Sequence, residues 1–353
     1  MSSKALADTA FLRKLGIDHP IIQAPMAGEA NTPELVAACA NVGALGSLGC
    51  AYQTPEQIIE SARSVRTLTT RPFNINLFAG GYEPHRQVEP APMLAVMEQV
   101  HAELGLPPPV LPPNPQSPFE EQLEAVIAAK PAVFSFTFGP PPANALARVK
   151  AEGIIVFGTA TTVAEAQQLE AAGIDAIVAQ GEEAGAHRGT FLQSFEESMV
   201  PMRDLVRDVV AAVKLPVIAA GGMMNGKDIA AALKLGAVAA QLGTAFLPCP
   251  ECGTSQTYKQ ALLAARQDTT VITRAFSGRQ ARGLNNKFIE MVRPETILPF
   301  RQQNDLTRAM RAAAAKKGDA GYLSLWAGRG VTRSRALPAG ELVKTLAAEI
   351  AAA

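Results

Sequence analysis

Eight short apolar runs recur along the chain, nearly all followed by a helical pattern. No other feature constrains the fold as tightly. The runs are IIQAP (21–25), GALGSLG (43–49), FNINLF (73–78), VFSFTFG (133–139), IIVFGT (154–159), AIVA (176–179), PVIAAGG (216–222) and AVAAQLGTAF (237–246). Runs apolar on both faces, alternating with amphipathic helices, describe strands of a parallel sheet covered on both sides. About eight such units in roughly 250 residues fit a closed (β/α)8 TIM barrel of the α/β class. A doubly wound open sheet is the structural alternative, and the GxGxxG fingerprint that such sheets often carry after their first strand is absent.

The helices announce themselves by their starts. Thr32-Pro33, Thr54-Pro55 and Thr162 offer a capping hydroxyl, twice with a proline suited to the first turn. Helical patterns follow at 57–68, 91–104, 119–129, 143–152, 163–172, 199–213 and 226–235. The barrel is expected over 1–250, interrupted at about 80–130 by a segment whose proline clusters at 107–109 and 112–113 can continue neither helix nor central strand. Residues 251–300 are more polar, with a helix at 258–265 and no obvious strand, and are expected to form a smaller helical lid. Residues 301–353 are expected to hold the last barrel helix, at 301–315, and a C-terminal extension. Trp326 is expected in packed core or lid.

Composition narrows the function. Lys+Arg and Asp+Glu number 32 each, so the bulk charge invites neither nucleic acid nor an anionic membrane. No apolar run is long enough to span a bilayer, and the N-terminus lacks the pattern of a secretory signal. A cytoplasmic protein with reduced cysteines is the expectation. Cys249 and Cys252 have CxxC spacing, but no second CxxC or His pair accompanies them, so no metal site is expected.

Barrels of this kind gather their chemistry at the C-terminal ends of the strands. The sixth run leads into Gln180-Gly181-Glu182-Glu183-Ala184-Gly185-Ala186-His187-Arg188-Gly189, a loop far richer in chemistry than a turn requires. The seventh and eighth runs end in Gly221-Gly222 and Gln241-Leu242-Gly243-Thr244, where glycines let backbone N–H groups approach an anion such as a phosphate. The amides Gln23, Asn76 and Gln180 supply neutral donors and acceptors for the edge of a heterocycle whose charge changes during turnover. Phosphate site and amide set together suggest a flavin mononucleotide (FMN) across the barrel mouth. His187, the one histidine in the second half of the chain, is placed to act as general base or as a cation meeting an anionic substrate. No HExxH, P-loop, kinase or serine-elbow motif is present.

QAPM (23–26), FNINLF, QGEEAGAHRG (180–189), AAGG (219–222) and QLGTAFLPCPE (241–251), with SGRQARGLNN (277–286) and LWAGR (325–329), resemble the nitronate monooxygenase family, formerly 2-nitropropane dioxygenase, in its class I branch. The resemblance covers most of the chain. It departs at Ala186, where the family often has a second glycine, and at Arg329, where glutamine is expected, in a segment expected to lie remote from the site. The resemblance implies noncovalent FMN held by Asn76, Gln180, Gly185, Gly221, Gly222, Gln241, Leu242, Gly243 and Thr244. Met26 would lie near the flavin, and His187 would be catalytic.

The implied reaction oxidises alkyl nitronates with O2 to a carbonyl compound and nitrite. Propionate 3-nitronate is the suggested substrate, with His187 holding its charge, in a monomer or homodimer. Glu182 and Glu183 are expected to steady the loop by pairing with Arg188. FMN-dependent enoyl-acyl carrier protein reductase and NADH:quinone reductase are the rivals on the same scaffold. A non-catalytic phosphometabolite-binding barrel is the rival from another class.

Overall fold

The computed structural model describes residues 9–81, 88–113 and 116–353. The chain opens with helix α1 (Thr9–Leu15), strand β1 (Ile21–Gln23), α2 (Pro33–Ala40), β2 (Gly46–Gly49), α3 (Pro55–Leu68) and β3 (Phe73–Phe78). Helices α4 (Ala91–Leu104) and α5 (Phe119–Ala129) follow. Then come β4 (Val133–Thr137), α6 (Ala143–Ala151), β5 (Ile155–Ala160), α7 (Val163–Ala171), β6 (Ala176–Gln180) and a two-residue strand, β7 (Ala186–His187). The barrel resumes with α8 (Met202–Ala212), β8 (Val217–Ala220), α9 (Gly226–Lys234) and β9 (Ala239–Leu242). The C-terminal part holds α10 (Gln256–Ala264), β10 (Thr270–Thr273), β11 (Ala281–Leu284), α11 (Lys287–Met291), α12 (Gln302–Leu306), α13 (Arg308–Lys317) and α14 (Ala339–Ala351).

Eight parallel strands run in the order β1-β9-β8-β6-β5-β4-β3-β2, and a bridge between Ile22 and Leu45 closes β1 onto β2. This is the expected TIM barrel. Alternate side chains divide between its two faces. Ile21, Val156, Ile177 and Val217 join the core beneath the helices, whereas Ile22, Phe157, Val178 and Ile218 fill the interior. Helix α1 plugs the N-terminal end, with Phe11 stacked on Phe157. That closure leaves only the C-terminal end open. Thr32 and Thr162 cap α2 and α7, and Thr54 forms a reciprocal capping box with Gln57 on α3. No described helix is long and apolar enough to cross a membrane.

Three expectations are corrected. The pattern at 199–213 becomes helical only at Met202, after Pro201. The 251–300 region is not purely helical: β10 and β11 pair antiparallel, and β11 also pairs with β7 to make a three-stranded sheet. The helix at 301–315 is not the last barrel helix. It breaks into α12 and α13, and α13 packs on α4, which lies in the inserted segment. The helix covering the barrel beside α9 and α2 is α14, through Leu342, Val343 and Leu346. Both α13 and α14 have an apolar stripe, and periodicity alone does not reveal which stripe faces the barrel.

Candidate active site

The loop after β6 is folded back by Gln180 itself. Its Nε2 donates to the His187 carbonyl at 3.1 Å and its Oε1 accepts from Gly189 N at 2.8 Å, bracketing the histidine. Arg188 is buried underneath. Its guanidinium donates to the carbonyls of Gln180 (2.6 Å), Gly181 (2.7 Å) and Ser198. Burial pushes its pKa down to about 10, which leaves it charged at neutral pH. Glu182 and Glu183 do not pair with it, contrary to expectation. Glu182 meets Arg329 at 3.4 Å, and Glu183 accepts from Met202 N at the start of α8. Ala186 sits at φ 62°, a left-handed conformation that explains why glycine suits this position.

His187 is presented by β7, whose register pairs it with Ala281 on β11. Its Nε2 lies 2.8 Å from Ser277 Oγ, and that hydroxyl donates to the Arg279 carbonyl at 3.1 Å. With the serine hydrogen so placed, Nε2 carries the imidazole proton and Nδ1 keeps its lone pair. Phe78, Phe138, Phe300 and Trp326 surround the ring at centroid distances of 5.6–6.1 Å. Burial, reinforced by the Arg279 and Arg311 charges, pushes its pKa down to about 3. The shift favours the neutral imidazole at pH 7, which weighs against the cation role and leaves the other role that the sequence offered, general base, to a weakly basic group.

A cavity of about 580 Å³ opens at the C-terminal ends of the strands. His187, Met26, Asn76, Gln180, Gly185, Gly221, Gly222, Gln241, Leu242, Gly243 and Thr244 all line it. Gln23 does not. It is fully buried one layer deeper, where its Oε1 accepts from Ser47 N at 2.8 Å and ties β1 to β2. Asn74 and Asn76 share one side of β3, as alternation requires, and both donate to Ser135 Oγ at 2.9 Å. Only Asn76 reaches the cavity.

Two regions of the wall differ in chemistry. At one, the backbone N–H groups of Gly222, Gly243 and Thr244 donate to no described residue. Gly221 and Gly222 hold φ of 120° and 68°. A Cβ on Gly243 would meet only Ala24 Cβ at 3.6 Å and Met26 Sδ at 3.7 Å, so packing alone does not demand glycine there. Gly185 differs: its Cβ would fall 2.6 Å from the backbone of Ala327 and Gly328. That approach brings in residues which the sequence left aside. Gly328 N donates to Thr244 Oγ1 at 2.9 Å, and Arg329 N donates to the Glu183 carbonyl at 3.0 Å, so LWAGR is part of the site rather than remote from it. Trp326 packs against the core and bridges to Gly283 on β11, and it also lines the cavity. The other region, with Tyr52, Asn304, Arg308 and Arg311, was also missed. Its one signal was the cluster of arginines in a helix assigned to the barrel exterior.

Fold and cavity define a TIM-barrel enzyme with a single-mouthed site at the strand ends. The chain belongs to the nitronate monooxygenase family, whose model matches residues 9–349. A nitronate monooxygenase of Pseudomonas aeruginosa is 43% identical, over 96% of this chain and 98% of its own. A nitroalkane oxidase from Streptomyces ansochromogenes superposes with a TM-score of 0.89 at 39% identity, covering 97% of this chain and 98% of that one. FabK from Thermotoga maritima follows the same scaffold with a TM-score of 0.75 at 27% identity, covering 98% and 96%. The protein is thus an oxidoreductase of this family.

Proposed function

We propose that the protein is an FMN-dependent nitronate monooxygenase that converts alkyl nitronates and O2 to a carbonyl compound and nitrite. The observation that carries this reading is the convergence of unpaired backbone N–H groups, amide side chains and His187 on one cavity. The residues suit FMN. Gly222, Gly243 and Thr244 offer N–H donors for its phosphate. Asn76, Gln180 and Gln241 offer amides for its ring edge, and the Gln241 side chain, on a strand paired on both sides, hydrogen-bonds to no described residue. When bound, the flavin supplies redox chemistry towards the nitronate and O2 that no side chain provides.

The chain's own groups do the rest. Phe78, Phe138, Phe300 and Trp326 keep water from the reacting centre. Neutral His187, its Nε2–H held by Ser277, presents the Nδ1 lone pair as an acceptor. A nitronate arrives already deprotonated, so the weak basicity of His187 is no obstacle. A neutral nitroalkane would need a proton removed by a group whose pKa lies at about 3. Nitronates are therefore the expected substrates. The test is an absorption spectrum of the purified protein and turnover on nitronate and nitroalkane separately. A colourless protein that does not take up FMN would overturn the reading, as would faster turnover of the nitroalkane.

A further inference from the structure

The neutrality of His187 leaves the negative charge of the substrate without a partner there, and the cavity offers another. Two arginines on α13 line it. Arg308 is exposed and paired with Asp305 at 3.0 Å. Arg311 lies deeper and makes no salt bridge with any described carboxylate. Its Nη2 donates to the main-chain oxygen of Asn304 at 2.8 Å and to Oδ1 of the same residue at 3.1 Å. Its Nε is sealed from solvent with no acceptor, and no described residue accepts from Nη1.

The charged and titratable groups around Arg311 are Tyr52, Arg308, Asp305 and Glu29. Asp305 is already engaged by Arg301 and Arg308. A desolvated guanidinium with unused donors and no anion is costly by itself, and an incoming anion removes that cost. Arginine stays charged throughout the working pH range, and its planar fork matches two oxygens on one planar centre. The O–N–O group of a nitronate has that shape.

We propose that Arg311 is the cation that binds the nitronate oxygens. This rests on the nitronate reading and assigns the charge recognition of that site to α13 rather than to the loop after β6. Two consequences follow. Substrate affinity depends on the guanidinium, and it is independent of pH across the range where an ordinary histidine titrates.

The test compares wild type with Arg311→Met and Arg311→Lys, the lysine variant keeping the charge in case the methionine variant fails to fold. Oxygen uptake with propyl-1-nitronate gives kcat and KM. Sodium nitrite, an inert O–N–O anion, is titrated against the fluorescence of Trp326, the single tryptophan of the chain. Arg311→Met is expected to raise KM and the nitrite Kd together by about 10- to 100-fold, with kcat within about threefold, the signature of lost binding rather than lost chemistry. Arg311→Lys falls between. Wild-type KM stays flat from about pH 6 to 9, whereas a histidine cation would make KM rise as pH passes about 6.5. Wild-type KM and nitrite affinity in both variants would overturn the proposal, as would a histidine-like KM profile. If wild type oxidises no nitronate, the functional reading falls on its own, and the nitrite titration still decides the role of Arg311.

Discussion

The Nε2 of His187 lies 2.8 Å from the hydroxyl of Ser277, a residue ninety positions away, and that hydroxyl is committed to the Arg279 carbonyl. The pair joins the β6 loop to the small sheet of β7, β11 and β10. The orientation of the histidine is thus set by a segment outside the barrel.

Ser277→Ala should release that orientation without touching the cavity wall. Supporting hydrogen bonds of this kind typically change activity by about 10- to 100-fold. We expect kcat/KM on a nitronate to fall by that order, with flavin content unchanged, and Ser277→Thr to retain most of the activity. Wild-type rates in Ser277→Ala would remove the serine from the mechanism.

His187 also ties stability to pH. Its folded pKa, about 3, lies below the unfolded value near 6.5. The unfolded chain therefore binds the extra proton as pH falls, and stability is full above about 6.5 and lost progressively towards 3. Melting temperatures from pH 7 to 4 should decline in wild type and decline less in His187→Asn. Parallel curves would show that His187 titrates normally in the folded protein.

Two glycines on the cavity should respond in opposite ways. Gly243→Ala adds a methyl with only ordinary contacts at 3.6 and 3.7 Å, at φ −104°, so the apo fold should keep its melting temperature. The same methyl beside unpaired N–H groups should weaken flavin binding. Gly185→Ala drives a methyl to 2.6 Å from the Ala327–Gly328 backbone and should cost about 1–3 kcal/mol of stability. Thermal melts with and without added FMN separate the two outcomes. Equal flavin affinity in Gly243→Ala would contradict the phosphate assignment.

Ala186 holds φ 62°. Left-handed backbone costs a non-glycine residue about 1–2 kcal/mol, partly offset because glycine loses more entropy on folding. Ala186→Gly should therefore raise stability by up to about 1 kcal/mol in a denaturant titration. A loss of that size would mean that the methyl contributes packing which outweighs the strain.

The barrel was legible because its strands are apolar on both faces and three of its helices, α2, α3 and α7, begin at threonine caps, both local signals. Strands β10 and β11 were not. Thr270-Val271-Ile272-Thr273 is only four residues long, and the sheet is completed by β7, far off in sequence. Depth was equally invisible. Gln23 and Asn76 are both amides on strands, yet one braces the barrel closure and the other faces the cavity. The arginines of α13 were hidden because that helix was assigned to the barrel exterior. The neutrality of His187 follows from four aromatic rings drawn from separate segments, which no spacing rule connects.

The most direct measurement is oxygen uptake by the FMN-loaded protein with an alkyl nitronate, nitrite being assayed in the same vessel. Nitrite appearing as oxygen disappears, with little anaerobic bleaching of the flavin by NAD(P)H, is the expected result. No oxygen uptake and no nitrite, together with fast bleaching by NAD(P)H, would contradict the account and assign the site to a reductase.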